Sequence, residues 1–348
     1  MLTLDTIRQE LAAYDGPPVR LMEVCGTHTA SIMKNGIPSL LSGKIRLISG
    51  PGCPVCVTVT AYIDRLIELA KEPDHVVLCF GDLLRVRGSR ISLSDARAEG
   101  AKVRMIYSPF EALSLCRENP ALQVVVAAIG FETTAPVYAA LLEEAIELKL
   151  ENLKLLTSLK TMPEVIRWVV RESRAEGRIT GFPAPGHVCA ITGYREYEEL
   201  AKETGLPFVV SGFEGEELLC SIYALVRMQG QGEARNLYPR VVSYEGNTAA
   251  KAAVEKYFEV CDASWRGMGA IPGSGIALRE AYAAFDAGSR ALQEDHMAAG
   301  CRCADVLTGR ITPEECPLFK KVCTPANPHG ACMVSQEGSC FNSAIYNR

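Results

Sequence analysis

No apolar run in this chain comes near the length a bilayer requires. Stretches such as Val124 to Ile129 are a handful of residues, against the ~20 of a membrane-spanning helix, so no membrane role is expected. The opening Met1-Leu2-Thr3-Leu4-Asp5 lacks the basic stretch and apolar core of a secretory signal, which leads to the expectation of a cytoplasmic protein. Positive charge is not in excess either. With 36 Lys and Arg against 41 Asp and Glu the net charge is −5, which argues against a nucleic-acid groove and leaves small molecules or proteins as partners. A GxxxxGKS/T phosphate loop is missing, and with it a sequence basis for ATP use. The CxxxCxxC arrangement of radical enzymes that use S-adenosylmethionine is missing too.

Cysteine, by contrast, is plentiful: fourteen in 348 residues. A reducing compartment does not favour a disulfide framework, so metal binding or redox catalysis becomes the default reading. The most concentrated sulfur chemistry is Gly50-Pro51-Gly52-Cys53-Pro54-Val55-Cys56, which follows the apolar run Ile45 to Ser49. Its prolines fix φ near −65°, and its glycines open conformations closed to other residues. The helical pattern of Thr58 to Lys71 follows, so Cys56 is expected near a helix N-terminus, where the dipole lowers a thiol pKa. A structural disulfide or half of a zinc site is the competing reading of a lone CxxC.

The length suggests two or three domains. One device recurs: a β-branched run, a turn bearing glycine, then a helix. Val19 to Val24 ends in Cys25-Gly26-Thr27-His28, Ile45 to Ser49 ends in the CxxC loop, and His75 to Phe80 ends in Gly81-Asp82, with Val103 to Tyr107 a further strand. It begins again with Gln123 to Ile129, which ends in Gly130-Phe131-Glu132-Thr133-Thr134 ahead of the helix Pro136 to Lys149. Leu153 to Leu159, Arg178 to Phe182 and Pro207 to Ser211 continue it. The last two run into Pro185-Gly186-His187-Val188-Cys189 and Gly212-Phe213-Glu214-Gly215. The expected fold is α/β, with two similar parallel-sheet domains, residues 16–118 and 119–230, and a cleft between them. Residues 231–348 are expected to form a third domain, mainly helical and then loop-rich, with 1–15 packing on it. Helical patterns run through Lys251 to Val260 and Leu278 to Ala287.

Six cysteines, Cys301, Cys303, Cys316, Cys323, Cys332 and Cys340, fall in the last 48 residues among prolines and glycines. A segment so poor in apolar side chains needs a metal staple, and thiolates spread over tens of residues suit an iron–sulfur cluster or zinc equally. Cys79, Cys116, Cys220 and Cys261 read as small buried hydrophobes. Glu132 and Glu214 are either acids at the cleft or partners of loop amides. His28, three residues from Cys25, reads as an activating neighbour of a nucleophilic thiol or as a helix cap. His187 is evenly balanced between function and structure.

Taken together, Cys25-Gly26-Thr27-His28-Thr29, the CxxC loop, Gly130-Phe131-Glu132-Thr133-Thr134, Pro185-Gly186-His187-Val188, Gly212-Phe213-Glu214 and Cys332-Met333-Val334-Ser335-Gln336-Glu337-Gly338-Ser339-Cys340 resemble, in order and spacing, the hydrogenase maturation factor family HypD. The resemblance spans nearly the whole chain. It implies a scaffold, working with the small chaperone HypC and the cyanide-delivering HypE, on which the Fe(CN)2CO unit of nickel–iron hydrogenase is built and passed indirectly to the hydrogenase large subunit. It also implies a [4Fe-4S] cluster near a redox thiol pair, in surroundings like those of ferredoxin:thioredoxin reductase. Carried over, Cys25 is the iron ligand, Cys53 and Cys56 the thiol pair, and Cys316, Cys323, Cys332 and Cys340 the cluster ligands, with Cys301 and Cys303 as rivals for one place. His28, Glu132, Thr133, Thr134, His187 and Glu214 join the site in lesser roles. Ala30 and Gly215 depart from the family pattern without removing a thiol. A free-standing iron–sulfur thiol–disulfide reductase is the alternative function, with Cys25 as its attacking thiol.

Overall fold

The computed structural model describes residues 3–173 and 177–347. Eleven strands form its sheets: β1 Val19–Glu23, β2 Ile45–Ser49, β3 His75–Cys79, β4 Val103–Met105, β5 Gln123–Gly130, β6 Leu153–Lys160, β7 Phe182–Pro185, β8 Phe208–Ser211, β9 Ala234–Asn236, β10 Phe258–Trp265 and β11 Gly269–Leu278. The α/β expectation therefore holds, and nearly every β-branched run is a strand at its expected place; the exception is Arg178 to Phe182, whose strand begins only at Phe182 and continues through Pro185. Such runs suit a parallel sheet covered on both faces, because neither face meets water. In β5 the alternation is visible. Val125, Ala127 and Ile129 enter one core, and Val124, Val126 and Ala128 enter another on the opposite face.

Strand partners, however, do not follow chain order. The larger sheet runs β4-β3-β5-β6-β11-β10, with β4, β3, β5 and β6 parallel and the β10–β11 hairpin antiparallel. β3 and β5 pair across the expected boundary at residues 118 and 119, so that boundary does not coincide with a sheet edge. The β7-β8-β9 sheet is also parallel, and β1 lies beside it through the Leu21–Gly181 bridge, with the Met22 amide donating to the Gly181 carbonyl at 3.1 Å. With β1 paired to β2, strands from residues 19–49 and 182–236 share a second parallel layer. Local pattern marks a strand, but burial of both faces selects its neighbour.

The expected helix over 251–260 ends early, because the helix Thr248–Tyr257 passes directly into β10. Residues 278–287 form the end of β11 and a tight 3-10 segment, Glu280–Phe285. The strands β9 to β11 thus place much of 231–278 in the sheets, and the loop-rich chain begins after them. The helix Leu4–Ala12 buries Ile7 and Leu11 with Ile32, Leu218 and Ile222 on the second layer rather than on the cysteine-rich tail. Residues 1 and 2 of that segment lie outside the described residues.

Candidate functional site

Cys25 follows β1 and occupies the N-cap of the helix Gly26–Lys34 in an extended conformation. Two backbone hydrogen bonds lace its loop to the CxxC loop: Gly26 N–H donates to Gly52 O at 3.0 Å, and Gly50 N–H donates to Glu23 O at 2.8 Å. A Cβ on Gly52 would lie 2.2 Å from the Cys25 nitrogen and the Val24 carbonyl carbon. Only glycine lets these loops meet. The cysteine-rich tail closes over the junction, where a Cβ on Gly26 would lie 2.3 Å from the Glu337 Cβ and Thr27 Oγ1 donates to Glu337 Oε1 at 3.0 Å.

Burial pushes the half-buried Cys25 thiol up to about 12, and Glu23 and Glu337 add to the effect. The amides of His28 and Thr27 act in the opposite direction. At neutral pH this sulfur is a thiol until a cation displaces its proton. Glu23 is itself buried, with Oε2 accepting from the Cys25 amide at 3.0 Å and Oε1 accepting from Ser49 Oγ at 2.7 Å and from the Thr29 hydroxyl. Burial raises its pKa to about 7 despite these donors. Glu23 and Glu337 were not among the expected site residues. Glu23 had a readable signal, as an acid directly following the apolar pair Leu21-Met22 in a strand.

Cys53 caps the short helix Pro54–Val57, its sulfur accepting the Cys56 amide at 3.3 Å. Both residues of the pair are buried, at 2 % and 0 % exposure. The longer helix begins only at Thr60, so the expected thiolate-stabilising position of Cys56 is not realised; burial and the neighbouring Cys53 hold its thiol well above its ordinary pKa. Its sulfur faces the tail, 3.9 Å from the Ala331 carbonyl.

The His28 ring turns away from this thiol chemistry. Its Nε2 lies 3.1 Å from the Gly212 carbonyl, which requires the proton on Nε2, and its buried Nδ1 has no partner among the described residues. Burial lowers its pKa to about 4, so the ring is neutral, and it is the His28 amide that supports charge on Cys25. Phe213 lies between two histidines, 4.7 Å from the His28 ring and 3.8 Å from the exposed, stacked His187 ring. Glu214 is a helix cap: with Glu217 it forms a reciprocal capping box at the start of the helix Gly215–Arg227.

Glu132 reaches the next helix, with Oε1 accepting the Met162 amide at 2.7 Å, while Oε2 is buried without a partner among the described residues. Burial raises its pKa to about 7. Thr134 closes its own turn, exchanging hydrogen bonds with the Phe131 backbone at 3.1 Å. Thr133 makes no side-chain hydrogen bond among the described residues. Cys189 is buried beside Tyr197, and its thiol is pushed up by burial.

All six tail cysteines line one small enclosed cavity together with Leu318, Phe319 and Met333. Cys303 and Cys332 form a disulfide within it. The expected ligand Cys332 therefore has its sulfur engaged, whereas Cys301, Cys316, Cys323 and Cys340 are free thiols. These four are close enough to act on one another: after burial, Cys301, Cys323 and Cys316 are what raise the Cys340 pKa. The His329 amide donates to Cys323 Sγ at 3.3 Å. A Cβ on Gly338 would meet the Cys332 carbonyl oxygen at 2.1 Å, so the tail reverses tightly over the disulfide.

Comparison with known proteins shows the family of the chain that carries these loops. A family model described as HypD, hydrogenase formation hypA family, matches residues 2–347. The hydrogenase expression/formation protein HupD of Azotobacter chroococcum mcd 1 is 43 % identical over 339 residues, covering 94 % of this chain and 89 % of its own. The hydrogenase maturation factors HypD of Azotobacter vinelandii (42 %; 94 % and 89 % of the two chains) and Escherichia coli K12 (40 %; 93 % and 88 %) are similar to nearly the same extent. This chain belongs to the HypD family of hydrogenase maturation factors.

Proposed function

We propose that this maturation factor is the scaffold on which an Fe(CN)2CO unit is assembled for nickel–iron hydrogenase, with Cys25 as the protein ligand to the iron. The observation that carries the reading is the junction at Cys25, where its loop, the Cys53/Cys56 loop and the Glu337 turn of the tail are held against one another by Gly52 and Gly26. Iron is the cargo here, and a soft thiolate suits low-spin iron better than a hydroxyl does. A small HypC-type chaperone supplying a second thiolate and a HypE-type cyanide donor are the partners this reading requires, in a cytoplasmic setting. Cys25 is partly exposed as a residue, which suits the approach of such a partner.

For the tail, the reading is a [4Fe-4S] cluster on Cys301, Cys316, Cys323 and Cys340. Its support is the donor set: four free thiols on one enclosed, otherwise apolar cavity, which is the ligand type and number such a cluster takes. When bound, that group supplies single electrons. The chain's own contribution is to bury the cavity and to bring the Cys56 sulfur to 3.9 Å from the carbonyl of Ala331, the residue before Cys332. Burial of both Cys53 and Cys56 beneath the tail disfavours the free-standing reductase, whose pair would have to reach a protein disulfide.

The test is infrared spectroscopy of the protein purified with its chaperone. Cyanide and carbonyl stretches are expected for the wild type and lost in Cys25→Ser. Bands of undiminished intensity in the variant would place the iron elsewhere.

A further inference from the structure

β6 ends at Lys160 in the middle of the larger sheet, with β5 on one side along its length. On the other side it meets β11 at only two positions, Leu159–Ile276 and Lys160–Gly275. Before that point the strand leaves the hairpin, and the Thr157 amide donates instead to Ser289 Oγ at 2.8 Å. The hairpin itself carries a bulge between Cys261 and Ala263, a device that bends an edge strand and re-aims side chains near ligand sites. The result is a cavity of about 190 Å³ between β6, the bulge and residues 289–293. It lies at the carboxyl end of a parallel strand, where α/β sheets hold their ligands.

Lys160 is 3 % exposed and lines this cavity. Its ammonium has three donors; one is used on Ser158 Oγ at 3.0 Å, and the Nζ sits 5.6 Å from the Trp265 ring centroid. Among the described residues no carboxylate pairs with it within 4.0 Å; Asp262, which also lines the cavity, accepts the Gly273 amide at 2.9 Å instead. Arg290 also lines the cavity, but it is paired with Glu259 at 2.6 Å. Cys261 does not supply the missing negative charge, because burial raises its pKa and keeps it a neutral thiol. Burial lowers the Lys160 pKa to about 8, so the amine is still largely protonated at neutral pH. A buried charge with one neutral partner is costly unless a counter-charge joins it. The neighbouring hydroxyls of Ser158 and Ser264 are suited to the remaining oxygens of an anion, whereas the Ser289 hydroxyl is already given to Asp286. A volume of several waters, at about 30 Å³ each, admits a carboxylate or a phosphate group.

We propose that this cavity is a binding site for a small oxyanion, held by the Lys160 ammonium and the surrounding serine hydroxyls. The site is separate from the cysteine junction and does not depend on the scaffold reading.

The experiment is thermal unfolding of the full chain at constant ionic strength, with chloride replaced stepwise by inorganic phosphate or by acetate. A saturable rise in Tm of about 2 °C or more is expected in the wild type for at least one of them. A response to phosphate alone assigns a phosphoryl group, to acetate alone a carboxylate, and to both a general oxyanion site. Lys160→Met should abolish the shift. Should that variant not fold, Ser158→Ala keeps the charge but removes the hydroxyl that aims it, and calorimetric titration should show affinity weakened about tenfold. No shift in the wild type beyond chloride overturns the proposal, as does an equal response in wild type and either variant.

Discussion

The Gly26 amide donates to the Gly52 carbonyl at 3.0 Å, and this one contact joins the loop that carries Cys25 to the loop that carries Cys53 and Cys56. It is short-range in space but spans two strand–turn–helix units of sequence. Its geometry demands that Gly52 have no side chain, since a Cβ there would sit 2.2 Å from the Cys25 nitrogen.

Gly52→Ala should accordingly destabilise the protein by about 2–4 kcal/mol, because the clash is with backbone and no rotamer relieves it. Denaturant unfolding measures this. A change below about 0.5 kcal/mol, the level of an ordinary surface substitution, would mean the loops are not in contact.

Cys25→Ser preserves shape and leaves the Gly26–Gly52 hydrogen bond untouched. The variant should unfold within about 1 kcal/mol of the wild type and still bind its chaperone, yet lose the iron–cyanide bands. Retained bands, or loss of chaperone association together with the bands, would remove Cys25 from its assigned role.

In the tail, alanine at Cys301, Cys316, Cys323 or Cys340 should each bleach the protein and lower iron and sulfide content from about four per chain. Alanine at Cys303 or Cys332 should leave iron in place and instead free one thiol in non-reducing mass analysis. Iron lost from Cys332→Ala but kept in Cys301→Ala would restore the ligand set expected from sequence.

Glu132 offers a pH test. Its folded pKa is raised from 4.5 to about 7 by burial, so the folded state binds the proton more tightly than the unfolded one. Stability tied to this group is present below the unfolded value and is lost as pH rises toward and through about 7. At 1.36 kcal/mol per unit, the loss is at most about 3 kcal/mol. Glu132→Gln keeps an acceptor for the Met162 amide and carries no charge. Its advantage over the wild type should therefore grow between pH 5 and 8. A parallel pH dependence of the two proteins would show that Glu132 is not buried as an acid.

Much of this molecule was legible in one dimension. Strand positions such as β2 and β5, the glycine turns that end them, and the CxxC loop are set by local periodicity and backbone preference, which act over a few residues. The cysteines of the tail likewise announced a sulfur-rich centre, because a segment with so little apolar surface requires a cross-link or a metal. Partner choice was not legible. β3 pairs with β5 across the expected domain boundary, and β1 joins β7, because the arrangement that buries both faces of every parallel strand depends on all strands together. The chemical state of individual groups was likewise decided in three dimensions. Cys332 is paired because it faces Cys303, whereas Cys340 on the same cavity is a free thiol. The His28 ring is neutral, and Glu23 and Lys160 are perturbed, because residues distant in sequence exclude water from them. Sequence determined which residues could do chemistry, since side-chain type and turn preference are local properties; desolvation and sulfur pairing depend on what surrounds a residue, and only the tertiary structure supplies those neighbours.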